Sequence, residues 1–394
     1  MLRDCVLDQF AKQFSREASV LVKAPGRVNL LGAHVDYVEG WVLPGAIDRT
    51  IHLVAAPRSD YDINIYAHNF NESASFSLTS LPTPPASRPS SHPAWLNYPL
   101  GIAWALQKNG HSLIGMDVVM AGDIPMGAGV SSSAAVEMAF LLAWEALGNY
   151  ELDDLMRAQL GQQAENQFLG VGSGIMDQFA CVHGRANHLV LLDCRTFEHE
   201  RIPLPSDTAV ILADSGVRRQ LAHSNYNDRP QECREAAAML RQYLPKVRTL
   251  RDVSPEMLAE YGRFLPEPHR RRAQHAVGEC TRVLTGATAL REGDVATFGR
   301  LISESQASSR HNYDNSLPEL DLLAKAAGAL EGCYGARFGG GGFGGFMQVL
   351  AKRTAVDTVQ AGMREAFVQA FGRVPNMFTC QIGDGAACEW LFRP

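Results

Sequence analysis

The chain has 394 residues, enough for two domains each with a core of its own. Hydrophobic residues make up 46%, charged residues 20%, and the formal net charge is −6 without a basic stripe, which disfavours nucleic acid as a partner. Residues 1–20 carry scattered charges (Arg3, Asp4, Asp8, Lys12, Arg16, Glu17) and no continuous apolar block, so neither a secretory signal nor a membrane partner is expected, and the location expected is cytoplasmic.

In chain order, strand-like runs are predicted over residues 19–24, 42–57 and 62–67. A Pro- and Ser-rich stretch at 81–93 reads as a loop, and helical patterns follow at 96–108, 132–147 and 152–167. Strands return at 188–193 and 208–214, helices at 229–243, 270–292 and 295–306. A strand at 345–351, a helix at 356–371 and a strand at 377–383 complete the pattern. Mixed strands with segregated helices predict an α+β fold rather than a doubly wound parallel sheet. A composition shift over 195–206 predicts two domains, 1–195 and 196–394. The run His269-Arg-Arg-Arg272 is expected on a solvated helix face. Eight cysteines at wide spacing, with no Cys-x-x-Cys, support neither a disulfide framework nor a zinc site.

Four segments carry chemistry. Gly26-Arg-Val-Asn-Leu-Leu-Gly-Ala-His-Val-Asp-Tyr-Val-Glu-Gly40 gathers Arg27, His34 and Asp36 beside three glycines, an arrangement suited to a polyhydroxylated ligand. Gly122-Asp-Ile-Pro-Met-Gly-Ala-Gly-Val-Ser-Ser-Ser-Ala-Ala135 runs from a strand-like segment into a helix. Its Gly127 and Gly129 can turn backbone N–H groups inward, and Ser131, Ser132 and Ser133 stand where a helix start favours an anion. Those hydroxyls could cap the helix, bind a phosphate oxygen or reach a metal. No Gly-Lys-Ser/Thr follows, so this is not a Walker A loop. Gly172-Ser-Gly-Ile-Met-Asp-Gln-Phe179 places Asp177 after two glycines, where an acid is usually a turn or cap residue. Finally, seven glycines within residues 335–345 exceed what packing would justify.

Together these segments resemble galactokinases, members of the GHMP small-molecule kinase superfamily. The first resembles the sugar motif, the second and fourth (with Pro125 in the second) the other two GHMP motifs. The segment 312–321 resembles the family's Tyr-x-x-Ser-x-Pro-Glu-Leu-Asp stretch. The resemblance implies a two-domain GHMP fold with its active site in the interdomain cleft and ATP and Mg²⁺ as cofactors. It implies that Arg27 and Asp177 are catalytic, Asp177 receiving or orienting the sugar hydroxyl proton and Arg27 offsetting phosphoryl charge. His34, Asp36, Gly174 and Tyr226 would bind the sugar. Pro125, Gly127, Gly129 and Ser131 to Ser133 would bind the nucleotide, and Ser133 with Glu165 would hold the metal. Alone, Glu165 would read as a surface carboxylate; its twelve-residue distance from Asp177 matches the family.

One position departs from the pattern. Galactokinases carry a glutamate near the sugar's C6 hydroxyl where this chain has Ala33, and galacturonokinases carry Gly-Ala-His there, as Gly32-Ala33-His34 does here. The expectation is a sugar 1-kinase favouring D-galacturonate. D-galactose, L-arabinose and a non-catalytic sugar sensor are the alternatives, the last disfavoured by the intact serine loop. Arg49, Arg218, Arg219 and Arg229 are candidates to meet a C6 carboxylate. Oligomeric state and regulation leave no mark in the sequence.

Overall fold

Strands β1 (Val20–Leu31) and β2 (Trp41–Pro57) form a long antiparallel pair, buried almost throughout because helices cover both faces. The chain is described here from a computed structural model covering residues 2–84, 92–125, 129–217 and 228–392. Alternate side chains divide between the two faces, as the two-residue strand period requires. Leu21, Val54, Ala56 and Val119 pack on Val6 and Phe10 of helix α1 (Leu2–Phe14). Val20, Val22, Leu53 and Val118 face the main core with helices α2 (Asn97–Lys108) and α3 (Ser132–Gly148).

The first sheet adds β3 (Asp62–Ala67), β4 (Glu72–Ser77) and β5 (Met116–Gly122) in the order β12-β1-β2-β5-β3-β4, with only β3 and β5 parallel. Strand β12 (Ala387–Trp390) comes from the far end of the chain and covers the edge of β1. Strands β6 (His188–Asp193) and β7 (His199–Pro203) pair with each other and extend from the start of β2. Helices α4 (Asp154–Gln163) and α5 (Met176–His183) pack beside α3.

The second sheet is antiparallel, in the order β11-β8-β10-β9, from β8 (Thr208–Asp214), β9 (Cys333–Phe338), β10 (Phe346–Lys352) and β11 (Met377–Cys380). Leu320 and Leu323 of α10 (Pro318–Gly328) and Val359, Met363 and Phe367 of α11 (Val356–Phe371) cover it. Helices α6 (Asp228–Arg241), α7 (Pro255–Tyr261), α8 (His269–Arg291) and α9 (Val295–His311) form a further layer, in which α8 packs on β2 and α9 on β9. Ala236, Ala276 and Tyr313 from this helical layer pack on Val35 and Val38, just after β1.

The α+β expectation holds: two mixed or antiparallel sheets with helices packed on their faces, not a doubly wound parallel sheet. Three local expectations change. The 19–24 strand continues to Leu31, so Arg27 lies on a strand. The 152–167 helix loosens at its end into a π-helical turn, Ala164–Phe168. The basic run opening α8 is solvated only in part: Arg270 is exposed, whereas Arg272 is buried, donating to Glu232, Asp314 and the Asn312 carbonyl. Burial with two carboxylates replaces the solvent that a lone arginine would need. All eight cysteines are free thiols, and no described helix is long and apolar enough to cross a membrane.

Candidate active site

The β1–β2 ladder slips between Pro25 and Arg27 and again between Asn29 and Leu31. Such bulges re-aim side chains, and here they flank Arg27, which points into a cavity of about 280 Å³. Arg27 donates from Nε and Nη2 to Asp177 Oδ1 at 2.7 Å, and from Nη1 to the Gly129 carbonyl at 2.6 Å. Asp177 sits in the first turn of α5, and its Oδ2 accepts from the Ser131 hydroxyl. That bond explains why Ser131 does not cap α3. Its backbone is left-handed, φ 59°, and turns the hydroxyl across the cleft instead of back onto the helix. The Asp177 carboxylate keeps lone-pair capacity for one more hydroxyl proton.

Asp36 closes the opposite side of the cavity. A side chain at Gly174 would place its Cβ 2.1 Å from Asp36 Oδ2, so only glycine permits this approach. Burial, then the nearby Asp177 charge, push the Asp36 carboxyl up to about 6. His34 is held at both ring nitrogens: Asn315 Nδ2 donates to Nε2 at 3.1 Å, and Nδ1 meets the Tyr37 hydroxyl at 2.8 Å. Tyr37 continues to the Tyr313 hydroxyl at 2.6 Å, tying the sugar segment to the helical layer. Asn315 also donates to the Gly341 carbonyl at 3.3 Å, which joins His34 to the late glycine loop.

On the other side of Ser132 and Ser133 opens a second, mostly apolar cavity of about 460 Å³. Phe70, Trp95, Tyr98, Ile124 and Val136 line it, and Pro125 stands at its edge. Tyr98, Ser132 and Ser133 border both cavities, so the two form one continuous cleft. Gly129, at φ 71°, lies against the Gly339 carbonyl, where a Cβ would come within 2.9 Å.

Ser133 Oγ lies 3.4 Å from Glu165 Oε1, in the π-helical turn, and the Ser173 hydroxyl donates to Oε2. Burial first, and Asp177 next, raise the Glu165 carboxyl. Glu137, wholly buried and hydrogen-bonded by Gln178 Nε2 at 2.9 Å, is raised by burial and by Glu165. Asp36 and Asp177 thus line the first cavity together with the Arg27 and Arg337 guanidinium groups, while Glu165 meets Ser133 and Glu137 meets Gln178. A hydroxyl and a carboxylate beside a place for phosphate oxygens suit magnesium, which takes few protein ligands. Among the described residues no cluster of three or more His, Cys, Asp or Glu forms an all-protein metal cage.

Arg27, Ala33, His34, Asp36, Gly129, Ser131, Ser132, Ser133, Gly174 and Asp177 therefore converge on one cleft, with Pro125 and Glu165 adjoining. Gly127, Tyr226, Arg218 and Arg219 lie outside the described residues. Arg49 pairs with Asp123 at 3.1 Å and does not line the first cavity. Arg229 donates to the Tyr313 carbonyl and to Glu232, and is likewise absent from its walls. Sequence reasoning missed Trp95 and Tyr98, which read as core aromatics, and Arg337, hidden among glycines.

The models of three families match in chain order: the galactokinase galactose-binding signature over residues 8–57, the GHMP kinase N-terminal domain over 97–185, and the GHMP kinase C-terminal domain over 287–369. A galactokinase of Roseiflexus sp. (strain RS-1) is 44% identical over 378 residues, covering 96% of this chain and 95% of the relative. The chain belongs to the galactokinase family. A galactokinase of Ligilactobacillus salivarius is 35% identical over 98% of this chain and 99% of its own. The crystal structure of Lactococcus lactis galactokinase complexed with galactose superposes with a TM-score of 0.92 at 30% identity, over 98% of this chain and all of that one. A mevalonate kinase, at TM-score 0.61 and 17% identity, shares the fold alone. As a galactokinase-family member the chain is an ATP-dependent sugar kinase.

Proposed function

We propose that this enzyme phosphorylates the anomeric hydroxyl of a galactose-type sugar and favours D-galacturonate. The observation that carries the substrate reading is Ala33. It is 2% exposed yet lines the sugar-side cavity, as the Arg337 guanidinium does, with no carboxylate of its own to offer. A glutamate there would repel a C6 carboxylate by about 4 kcal/mol at 4 Å and intermediate dielectric. The same glutamate would give a C6 hydroxyl a charged hydrogen bond of about 1.5–3 kcal/mol. Alanine removes both. D-galactose is the second reading, favoured by the galactokinases above and the galactose in the Lactococcus complex; L-arabinose, lacking C6, is the third.

In this reading the sugar lies between Asp36 and Asp177, with Gly174, His34 and Ala33 shaping its walls and Tyr226 as a further contact. Asp177 accepts or orients the anomeric hydroxyl proton while that oxygen bonds to the γ-phosphorus and ADP leaves. Arg27 holds Asp177 in place and offsets the negative charge on the transferring phosphoryl group. The apolar cavity at Trp95 and Tyr98 takes the base of ATP, and the loop from Pro125 through Gly127 and Gly129 to Ser133 takes its phosphates. Ser133 and Glu165 would hold Mg²⁺, whose chemistry is to neutralise phosphate charge. The halves 1–195 and 196–394 would be the two GHMP domains, acting in the cytoplasm.

A coupled ADP-release assay comparing D-galacturonate, D-galactose and L-arabinose tests the reading, with Ala33→Glu alongside. Preference for galacturonate, shifted toward galactose by the substitution, is the expected result. Preference for galactose in the native enzyme would sink it.

A further inference from the structure

Arg337, on β9, is one of the largest fully buried side chains in the protein, 1% exposed, and it lines the sugar-side cavity with Ala33 and Asn29. Its five N–H donors meet one acceptor among the described residues: Nη1 donates to the Asn29 carbonyl at 3.2 Å. Nε is buried without a partner. A buried cation in this condition is expensive, because a carboxylate normally offsets its desolvation.

The nearest acid does not fill that role. Glu279 Oε1 accepts from the Gly32 and Ala33 backbone N–H groups at 2.9 and 3.0 Å and from the Ser305 hydroxyl at 2.7 Å. Glu279 Oε2 is taken by Arg282 at 2.8–2.9 Å. Its charge reaches Arg337 through space, but its lone pairs are used elsewhere. Burial pulls the Arg337 guanidinium down to about 10, with Glu279 opposing and Arg27 and Arg282 adding to the fall. Asn29, which Arg337 touches, donates from Nδ2 to the Gly32 carbonyl at 3.1 Å, so Arg337 adjoins the backbone that carries Ala33. A fork of unpaired donors and a side chain cut back to a methyl group therefore line the same cavity.

We propose that Arg337 is the specificity-determining residue that pairs with a carboxylate on the sugar, in the space Ala33 leaves. This inference rests on the uronate reading above. A planar guanidinium matches a carboxylate with two parallel N–H···O bonds, which a neutral hydroxymethyl group cannot return. Arg49 and Arg229, committed to Asp123 and to Glu232 and Tyr313, are not placed to compete.

The test measures kcat/KM for D-galacturonate, its uncharged methyl ester and D-galactose in the native enzyme, Arg337→Gln and Arg337→Lys, with ATP binding titrated in each. Native preference for galactose removes the uronate reading, and the inference with it, before any variant is compared. With galacturonate preferred, Arg337→Gln should lower the galacturonate-to-galactose ratio by about 30-fold or more, the loss typical of a severed buried charge pair. The ester should then be used as well as the acid. An unchanged ratio overturns the role of Arg337 and leaves the uronate reading standing. Equal losses on both sugars together with weakened ATP binding also overturn it, because the cation would then serve a phosphate. Should Arg337→Gln fail to fold, Arg337→Lys keeps charge and most of the volume but loses the fork. Its ratio should fall by about 3- to 10-fold, and no fall overturns the proposal.

Discussion

Asp177 is held from both sides, by Arg27 at one oxygen and by Ser131 at the other, so its position does not depend on a bound sugar. Substituting asparagine keeps the size and removes the charge. Asp177→Asn should lower turnover roughly 1,000-fold, within the range general-base removal produces, while ATP titration shows little change; near-native ADP release would refute the role. Asp36 yields a second prediction, with an unusual sign. Burial and the Asp177 charge place its folded value near 6, above the ordinary 3.8. The folded state then binds more protons than the unfolded one between about pH 4 and 6, and stability falls as pH rises through that window. At neutral pH an ionised Asp36 opposes folding by about 3 kcal/mol and is the form able to accept two sugar hydroxyls. The sugar KM should therefore drop as pH climbs through 6. Asp36→Asn should raise the melting temperature, flatten that pH profile and weaken sugar binding; a lowered melting temperature would contradict the argument.

Elements reach this site through irregularities that each carry a residue of interest. The bulges of β1 turn Arg27 inward, and the π-helical turn after α4 brings Glu165 to face Ser133. Helix α5 opens with Asp177 immediately after the Gly174 approach to Asp36. Another close contact supports Arg337. A Cβ at Gly335 on β9 would lie 1.9 Å from the Gly299 carbonyl on α9, and one at Gly299 would lie 2.2 Å from the Tyr334 carbonyl. The two backbones touch with no space for a methyl group on either. Gly335→Ala should destabilise the fold by about 2–3 kcal/mol, as overpacking does, visible as a lower urea midpoint at unchanged slope. The spacing from Glu165 to Asp177 was legible in the sequence, and so was the helix after the serine loop. The π-turn and α5 were not, because neither has the length or periodicity that separates a helix from a loop.

At the scale of the molecule, the sugar segment is braced by residues far along the chain. Strand β12 covers the β1 edge, and Glu279 of α8 caps the Gly32 and Ala33 N–H groups. Although burial alone would raise the Glu279 carboxyl, Arg282, His275 and Arg337 hold it down at about 2. Its contribution to stability is thus complete above about pH 4.5 and fades as pH falls toward 2. His275, kept neutral by burial at about 4, meets the Ala33 carbonyl at 3.0 Å. Glu279→Gln would take the paired carboxylate from Arg282 and the nearby negative charge from buried Arg337, and slacken the loop holding Ala33. A loss of about 3 kcal/mol is expected in urea denaturation, together with a higher sugar KM; a stability loss with no change in KM would confine Glu279 to the core.

The sequence alone determined the family, the α+β class and most of the described polar residues that meet in the cleft, because glycines, serines and acids at set spacings are local requirements of phosphate and hydroxyl chemistry. It also marked Ala33 as the departure. Which described cations share the cavity with Ala33 was decided only by the tertiary structure. Four arginines were candidates by charge; the two that are described lie committed to other carboxylates, and Arg337, which was not among the four, lines the cavity with Ala33 and Arg27. A side chain's remaining hydrogen-bond capacity depends on what the packed chain has already used, and no local pattern of residues records that.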